Sequence, residues 1–295
     1  MLVLADFDRT ITTASCGTSC HGVVESCQEL SAEYRAKTQV LFDKYFPIET
    51  NPTMGREEKI PLMQEWSAPS DDLSWHFFHF QNSQSDSQSA ADGQRSAARY
   101  QQAHTLLLAE PFTPALLDSA AERSKAALRP GFEELFSLCR LHGAPLVVCS
   151  AGLGNVVSAL LKHRLESAEA VAAVENISIV SNWLRFDERQ RVCGFSQPLL
   201  HMFNKNGAFV RSQCGEDKWA NLAADRKVCL LLGDGLGDAT MADGLDLPHV
   251  LKIGFLNETD EARVAARLPQ YEAAFDAVIL GDQSFSWLLS LLRSL

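Results

Sequence analysis

The chain has 295 residues, 46% of them hydrophobic, and a formal net charge of −11, enough apolar content for a full α/β core and a second, smaller domain. The acidic balance excludes a nucleic-acid polymer as partner and gives no general attraction for a phosphate ester, so any anion site must be built locally from a metal, a lysine and backbone amides. The first chemical motif begins at residue 6 and no apolar run approaches the roughly 20 residues of a membrane span, so a cytoplasmic protein with neither leader nor membrane contact is expected.

Leu2-Val3-Leu4-Ala5 is an unbroken apolar run, the pattern of a strand buried on both faces in a parallel sheet. Asp6-Phe7-Asp8-Arg9-Thr10-Ile11 follows at what is then a strand's carboxyl edge, where α/β sheets place ligands. On an extended backbone Asp6 and Asp8 point the same way. Like charges that close are tolerated only with a cation between them or a proton on one.

Cys16, Cys20, His21 and Cys27 cluster next, but without a second Cys-x-x-Cys-like pair they read as reduced packing residues rather than a zinc site. Val23, Cys27, Leu30, Tyr34 and Leu41 predict one long amphipathic helix over 22–46. Pro47 and Pro52 bracket a predicted loop. Helices are expected over 56–67 and from Asp71 through Phe78, and again over 114–127. Between them, 82–102 is rich in Ser, Gln, Asp and Ala and reads as a surface insertion. Residues 13–124 are therefore expected to form a helical cap domain, inserted into a core made of 1–12 and 125–295.

From Arg129 the pattern alternates. Pro130-Gly131 opens a helix to Leu141, and Leu146–Cys149 is a second buried strand ending in Ser150-Ala151-Gly152-Leu153-Gly154. A hydroxyl residue and glycines at a strand-to-helix junction let a side chain and backbone N–H groups converge on a phosphate. A hairpin-like stretch is expected from 177–180 and 183–186, followed by a strand at 192–195. Val228–Leu232 is the strongest strand, and it ends in Gly233-Asp234-Gly235-Leu236-Gly237-Asp238. Glycines around two acids allow close approach of a hydrated cation.

Asp-Phe-Asp-x-Thr after a buried strand resembles the first motif of the haloacid-dehalogenase-like phosphatases. The other three motifs of that superfamily are matched in order by Ser150, by Lys205 within His201–Gly207, and by Asp234 with Asp238. The resemblance implies an α/β fold, a Rossmann-like parallel sheet core with an inserted helical cap. It implies Asp6 as the nucleophile that forms an aspartyl-phosphate and Asp8 as the general acid/base, roles that suit two carboxylates. It also implies Ser150, Ala151 and Lys205 as phosphate ligands, and Mg²⁺ held by Asp6, the backbone carbonyl of Asp8 and Asp234. Asp238 is implied to orient Lys205 or a metal-bound water.

A closer likeness covers nearly the whole chain outside an insertion near residues 78–112. Cys20-His21, Tyr45-Phe46-Pro47-Ile48-Glu49, the run from Glu57 to Trp66, Phe203-Asn204-Lys205, and Leu231–Asp234 with Met241–Gly244 are similar to the cytosolic 5′-nucleotidase III family. That resemblance implies a monomeric enzyme hydrolysing small nucleoside 5′-monophosphates, either CMP and UMP or 7-methyl-GMP. Glu49 would read the base, Ser70 would assist, and Trp66 would pack its flat face beside it. Three features depart from the family: Ser67 stands where an aromatic is expected, Asn155 stands where an acid is common, and the insertion alters the cap. Alternatives on the same residues are another phosphomonoester substrate, phosphate transfer to a second nucleoside, or a catalytically idle nucleotide sensor. A pure sensor has no use for both Asp6 and Asp8.

Overall fold

The structure, a computed structural model, describes residues 1–51, 54, 58, 105–202 and 204–294. In chain order its main elements begin with β1 (Leu2–Ala5), α1 (Cys20–Glu25), α2 (Ala32–Thr50), α3 (Pro114–Arg123), α4 (Phe132–Leu141), β2 (Leu146–Leu153) and α5 (Gly154–Arg164). They continue with β3 (Ser178–Asn182), β4 (Leu184–Phe186), β5 (Val192–Phe195), α6 (Gly207–Cys214), β6 (Val228–Gly233), β7 (His249–Leu256), α7 (Glu261–Ala274), β8 (Ala277–Leu280) and α8 (Ser286–Ser294).

Six strands form one parallel sheet in the order β3-β2-β1-β6-β7-β8, and β4 pairs antiparallel with β5 apart from it. The apolar runs explain the centre of the sheet. Leu2, Val3, Leu4, Val147, Cys149, Cys229 and Leu231 are all shut off from solvent, as strands covered on both faces require. Because β1 lies between β2 and β6, with Ala5 opposite both Val148 and Leu232, the carboxyl ends of three strands stand side by side. The residues that follow them converge for that reason alone.

The chain forms two compact units, Met1–Glu29 with Pro111–Leu295, and Leu30–Glu110. Both α1 and α3, which fall inside 13–124, belong to the larger unit. Among the described residues no helix is long and apolar enough to cross a membrane.

Three local expectations are corrected. The single helix over 22–46 is two helices, because Ser26 turns its hydroxyl back to Val23 O and Ser31 starts α2 afresh, accepting from Tyr34 N. The Glu110 carboxylate binds the Ser31 N–H and hydroxyl in the smaller unit. Pro47 lies within α2 rather than in a loop, since its φ is itself helical and only one backbone bond is lost, within a turn of the helix end. The stretch at 177–180 is not part of a hairpin. As β3 it extends the main sheet beside β2, and the hairpin is β4 with β5. The helices expected at 56–67 and 71–78 and the insertion at 82–102 lie outside the described residues, apart from Glu58.

Candidate active site

Asp6 follows β1, and its amide continues the ladder by donating to Leu232 O at 2.9 Å. Lys205 reaches it from the loop before α6. That loop is fixed by Asn204, whose Nδ2 donates to Leu199 O at 2.8 Å, and by Thr240, whose hydroxyl donates to Lys205 O at 3.1 Å. The buried Lys205 ammonium donates to Asp6 Oδ1 at 2.5 Å and to Asp238 Oδ1 at 2.6 Å. The other oxygen of Asp238 accepts from Asp234 N at 3.0 Å and Gly235 N at 2.8 Å. Asp238 therefore ties the lysine to the loop that carries Asp234. This closeness requires glycine at 233, where a Cβ would stand 2.3 Å from that of Asp238.

Asp8 sits one residue into a wide turn over Phe7–Ile11. Both its oxygens accept from Cys20 N, at 3.0 and 3.2 Å. The first N–H groups of a helix lack intrahelical acceptors, and α1 gives one of them to Asp8. Ser150 is buried near the end of β2, where its Oγ accepts from Gly152 N at 3.1 Å. Asn182 holds this loop by donating to Ala151 O and to Leu200 O, both at 2.9 Å.

Asp6, Asp234 and Asp238 offer carboxylate oxygens within 4.8 Å of one another. Burial, partly offset by Lys205, pushes Asp6 up to about 7. Burial and then the Asp6 and Asp238 charges hold Asp234 well above the carboxylate range, and burial raises Asp8. Burial also works against the Lys205 ammonium, but Asp238 and Asp6 outweigh it and hold its pKa well above the usual value. The Lys205 ammonium bonds Asp6 and Asp238, and the Arg9 guanidinium acts on Asp8 and Asp234, so two cations stand against four carboxylates. Hard oxygen donors in excess of positive charge fit a divalent cation such as Mg²⁺, which would bring the raised acids back to the ionised form.

The structure therefore brings Asp6, Asp8, Ser150, Ala151, Lys205, Asp234 and Asp238 to one sheet edge. The Asp8 carboxylate is engaged by Cys20 and is not in the acid cluster, whereas Asp238 is. The Glu49 backbone lies in α2 and its side chain is outside the described part, as are Trp66 and Ser70. Asn155, the departure from an acid, accepts from Leu184 N at 2.7 Å. Cys20 and Cys27 are buried, and among the described residues no cysteine forms a disulfide. Three supporting residues escaped the sequence reading: Asn182, Arg129 and Tyr271, whose hydroxyl donates to Asp234 O at 2.5 Å. Asn182 alone had a local signal, a polar residue closing an apolar strand.

The family model of pyrimidine 5′-nucleotidase (UMPH-1) matches residues 7–96 and 93–295. The chain is 32% identical over 290 residues to the 7-methylguanosine phosphate-specific 5′-nucleotidase of Drosophila melanogaster, covering 96% of this chain and 76% of that protein. It is 30% identical over 288 residues to the 7-methylguanosine phosphate-specific 5′-nucleotidase A of Xenopus laevis, covering 96% and 83%. The crystal structure of cytosolic 5′-nucleotidase IIIB bound to cytidine superposes with a TM-score of 0.74 at 29% identity, covering 99% of this chain and 85% of that one. With its four motifs gathered on a parallel sheet, the chain belongs to the pyrimidine 5′-nucleotidase (UMPH-1) family of hydrolases, on the haloacid-dehalogenase-like fold.

Proposed function

We propose that the protein is a Mg²⁺-dependent 5′-nucleotidase that hydrolyses pyrimidine or 7-methylguanosine 5′-monophosphates through an aspartyl-phosphate. The observation that carries this reading is Lys205 bonded at once to Asp6 and Asp238 beside Asp234. In that arrangement a carboxylate nucleophile can be held against an anionic phosphate without prohibitive repulsion.

An Asp6 oxygen attacks phosphorus as the bond to the nucleoside O5′ breaks, and the proton on Asp8 passes to that oxygen. Asp8 then takes a proton from water, whose oxygen attacks the phosphorus and releases phosphate, restoring Asp6. Lys205, the Ser150 hydroxyl and the Ala151 and Gly152 region orient the phosphate, so catalysis rests on positioning and charge stabilisation. Asp6, Asp234 and the Asp8 carbonyl would hold Mg²⁺, which screens the phosphate charge.

In this reading residues 13–124 supply the cap, with Glu49, Trp66 and Ser70 reading the base. Support for these substrates comes from the specificity named for the fly and frog relatives and the cytidine bound by the crystallised relative. The word cytosolic in the names of the Caenorhabditis elegans relative and the crystallised enzyme supports a cytoplasmic setting.

The test is phosphate release from CMP, UMP, 7-methyl-GMP, AMP and glucose 6-phosphate, with Mg²⁺ and with EDTA. Metal-dependent turnover of CMP, UMP or 7-methyl-GMP is expected. Turnover of glucose 6-phosphate alone, or activity unaffected by EDTA, refutes the reading.

A further inference from the structure

We infer that Arg129 is a positioning residue for Asp8, acting through the backbone of the turn that carries it. This rests on the acid/base role proposed for Asp8. The turn over Phe7–Ile11 is not a regular helix. Asp8 has φ −66° and ψ 124°, and Arg9 is left-handed at φ 63° and ψ 2°. A non-glycine residue there is strained and persists only when its surroundings impose it. The amides that would continue a helix over Arg9 and Thr10 turn elsewhere, Thr13 N donating to Ala127 O and Ala14 N to Asp282 Oδ1, both at 3.0 Å.

Arg129 supplies what the turn lacks. Its side chain is wholly buried. Its Nε donates to Thr10 O at 2.7 Å, its Nη2 to Arg9 O at 2.5 Å, and its backbone N–H to Ile11 O at 2.7 Å. Three successive carbonyls of the turn thus end on one residue more than a hundred positions away.

The guanidinium is itself immobilised. Its Nη1 donates to Gln283 O at 2.5 Å and lies 3.2 Å from Asp282 Oδ1, its Nη2 donates to Asn257 Oδ1 at 3.0 Å, and its Cζ lies 4.3 Å from the Phe255 ring centre. Asn257 adds a second donor to Arg9 O at 2.9 Å. Asp8 is thereby held from two sides, its carboxylate by the Cys20 N–H and its following backbone by Arg129. A planar fork that must reach two carbonyls is not replaced by an ammonium.

A loss of folded protein lowers activity on every substrate alike, whereas a displaced general acid hurts only substrates whose leaving group needs a proton. The experiment compares kcat/KM for the best nucleotide with that for its bridging 5′-phosphorothiolate, which has the same base and sugar but departs as a thiolate. Asp8→Asn is the reference and should lose about 10²–10⁴-fold on the nucleotide and far less on the thiolate-leaving analogue.

Arg129→Lys should show the same selectivity at about 10²-fold. Asn257→Ala, at a half-buried position where misfolding is not expected, should show it at about 3–10-fold. If Asp8→Asn is selective while Arg129→Lys and Asn257→Ala lose both substrates equally, the positioning role is overturned and the function stands. If Asp8→Asn itself loses both equally, the acid/base reading fails and this inference with it.

Discussion

Replacing Tyr271 by Phe tests whether the Asp234 loop is held by a single hydroxyl. Tyr271 is 1% exposed, and its hydroxyl donates to Asp234 O at 2.5 Å while accepting from Arg267 Nη2 at 3.1 Å. Burial raises the phenol's pKa, so it remains a donor at every working pH. The ring, stacked on Phe275 at 5.8 Å between centroids, survives the substitution, and only the hydroxyl is lost. One hydrogen bond together with a backbone carbonyl deprived of its donor amounts to about 1–3 kcal/mol of stability.

The same change loosens an acid assigned to the metal, and removing such supporting contacts typically weakens metal affinity by about 10–100-fold. Urea unfolding in EDTA reads the first effect, and activity titrated against Mg²⁺ reads the second. A Tyr271→Phe protein with an unchanged unfolding midpoint and an unchanged Mg²⁺ half-saturation refutes the assignment.

Two further outcomes follow from the charge cluster. Because the folded pKa of Asp6 is raised to about 7, folded protein binds more protons than unfolded chain between about pH 4 and 7. Metal-free stability contributed by this group is therefore present at low pH and is lost as pH rises through 7, by up to about 4 kcal/mol. Asp6→Asn, expected to abolish turnover, should accordingly be more stable than wild type in EDTA at pH 8 and should lose most of that advantage by about pH 4. A constant difference across that range, measured by urea unfolding, contradicts the cause given. Saturating Mg²⁺ should stabilise the wild type by about 2.7 kcal/mol at 100 times its Kd, and Asp234→Asn should abolish most of that gain. Equal thermal shifts in both proteins would place the cation elsewhere.

What was legible in the sequence was local. The runs at Leu2–Ala5, Leu146–Cys149 and Val228–Leu232 announced central strands because a strand covered on both faces tolerates no polar alternation. The residues directly after those runs, Asp6, Ser150 and Asp234, were candidates because strand carboxyl ends are where such sheets bind ligands. Local pattern misled where the deciding partner was not in the pattern. The apolar spacing through 22–46 continues across a break made by Ser26 and Ser31, and the strand at Ser178–Asn182 pairs with β2 rather than with the segment that follows it.

The site itself was decided by tertiary structure. Composition and periodicity do not distinguish Lys205 from a solvated surface lysine, and only the resemblance of its flanking residues to the third motif singled it out. Its role rests on meeting Asp6 across 199 residues and Asp238 across 33. Asp8 and Asp238 are each two or four residues from a metal-binding candidate, yet one carboxylate turns to the Cys20 amide and the other to Lys205 and the Asp234 loop. Composition and periodicity determined which segments are buried, because burial depends on each segment's own side chains. The order β2-β1-β6 determined which segment ends meet, and a charge's partner and pKa depend on that meeting.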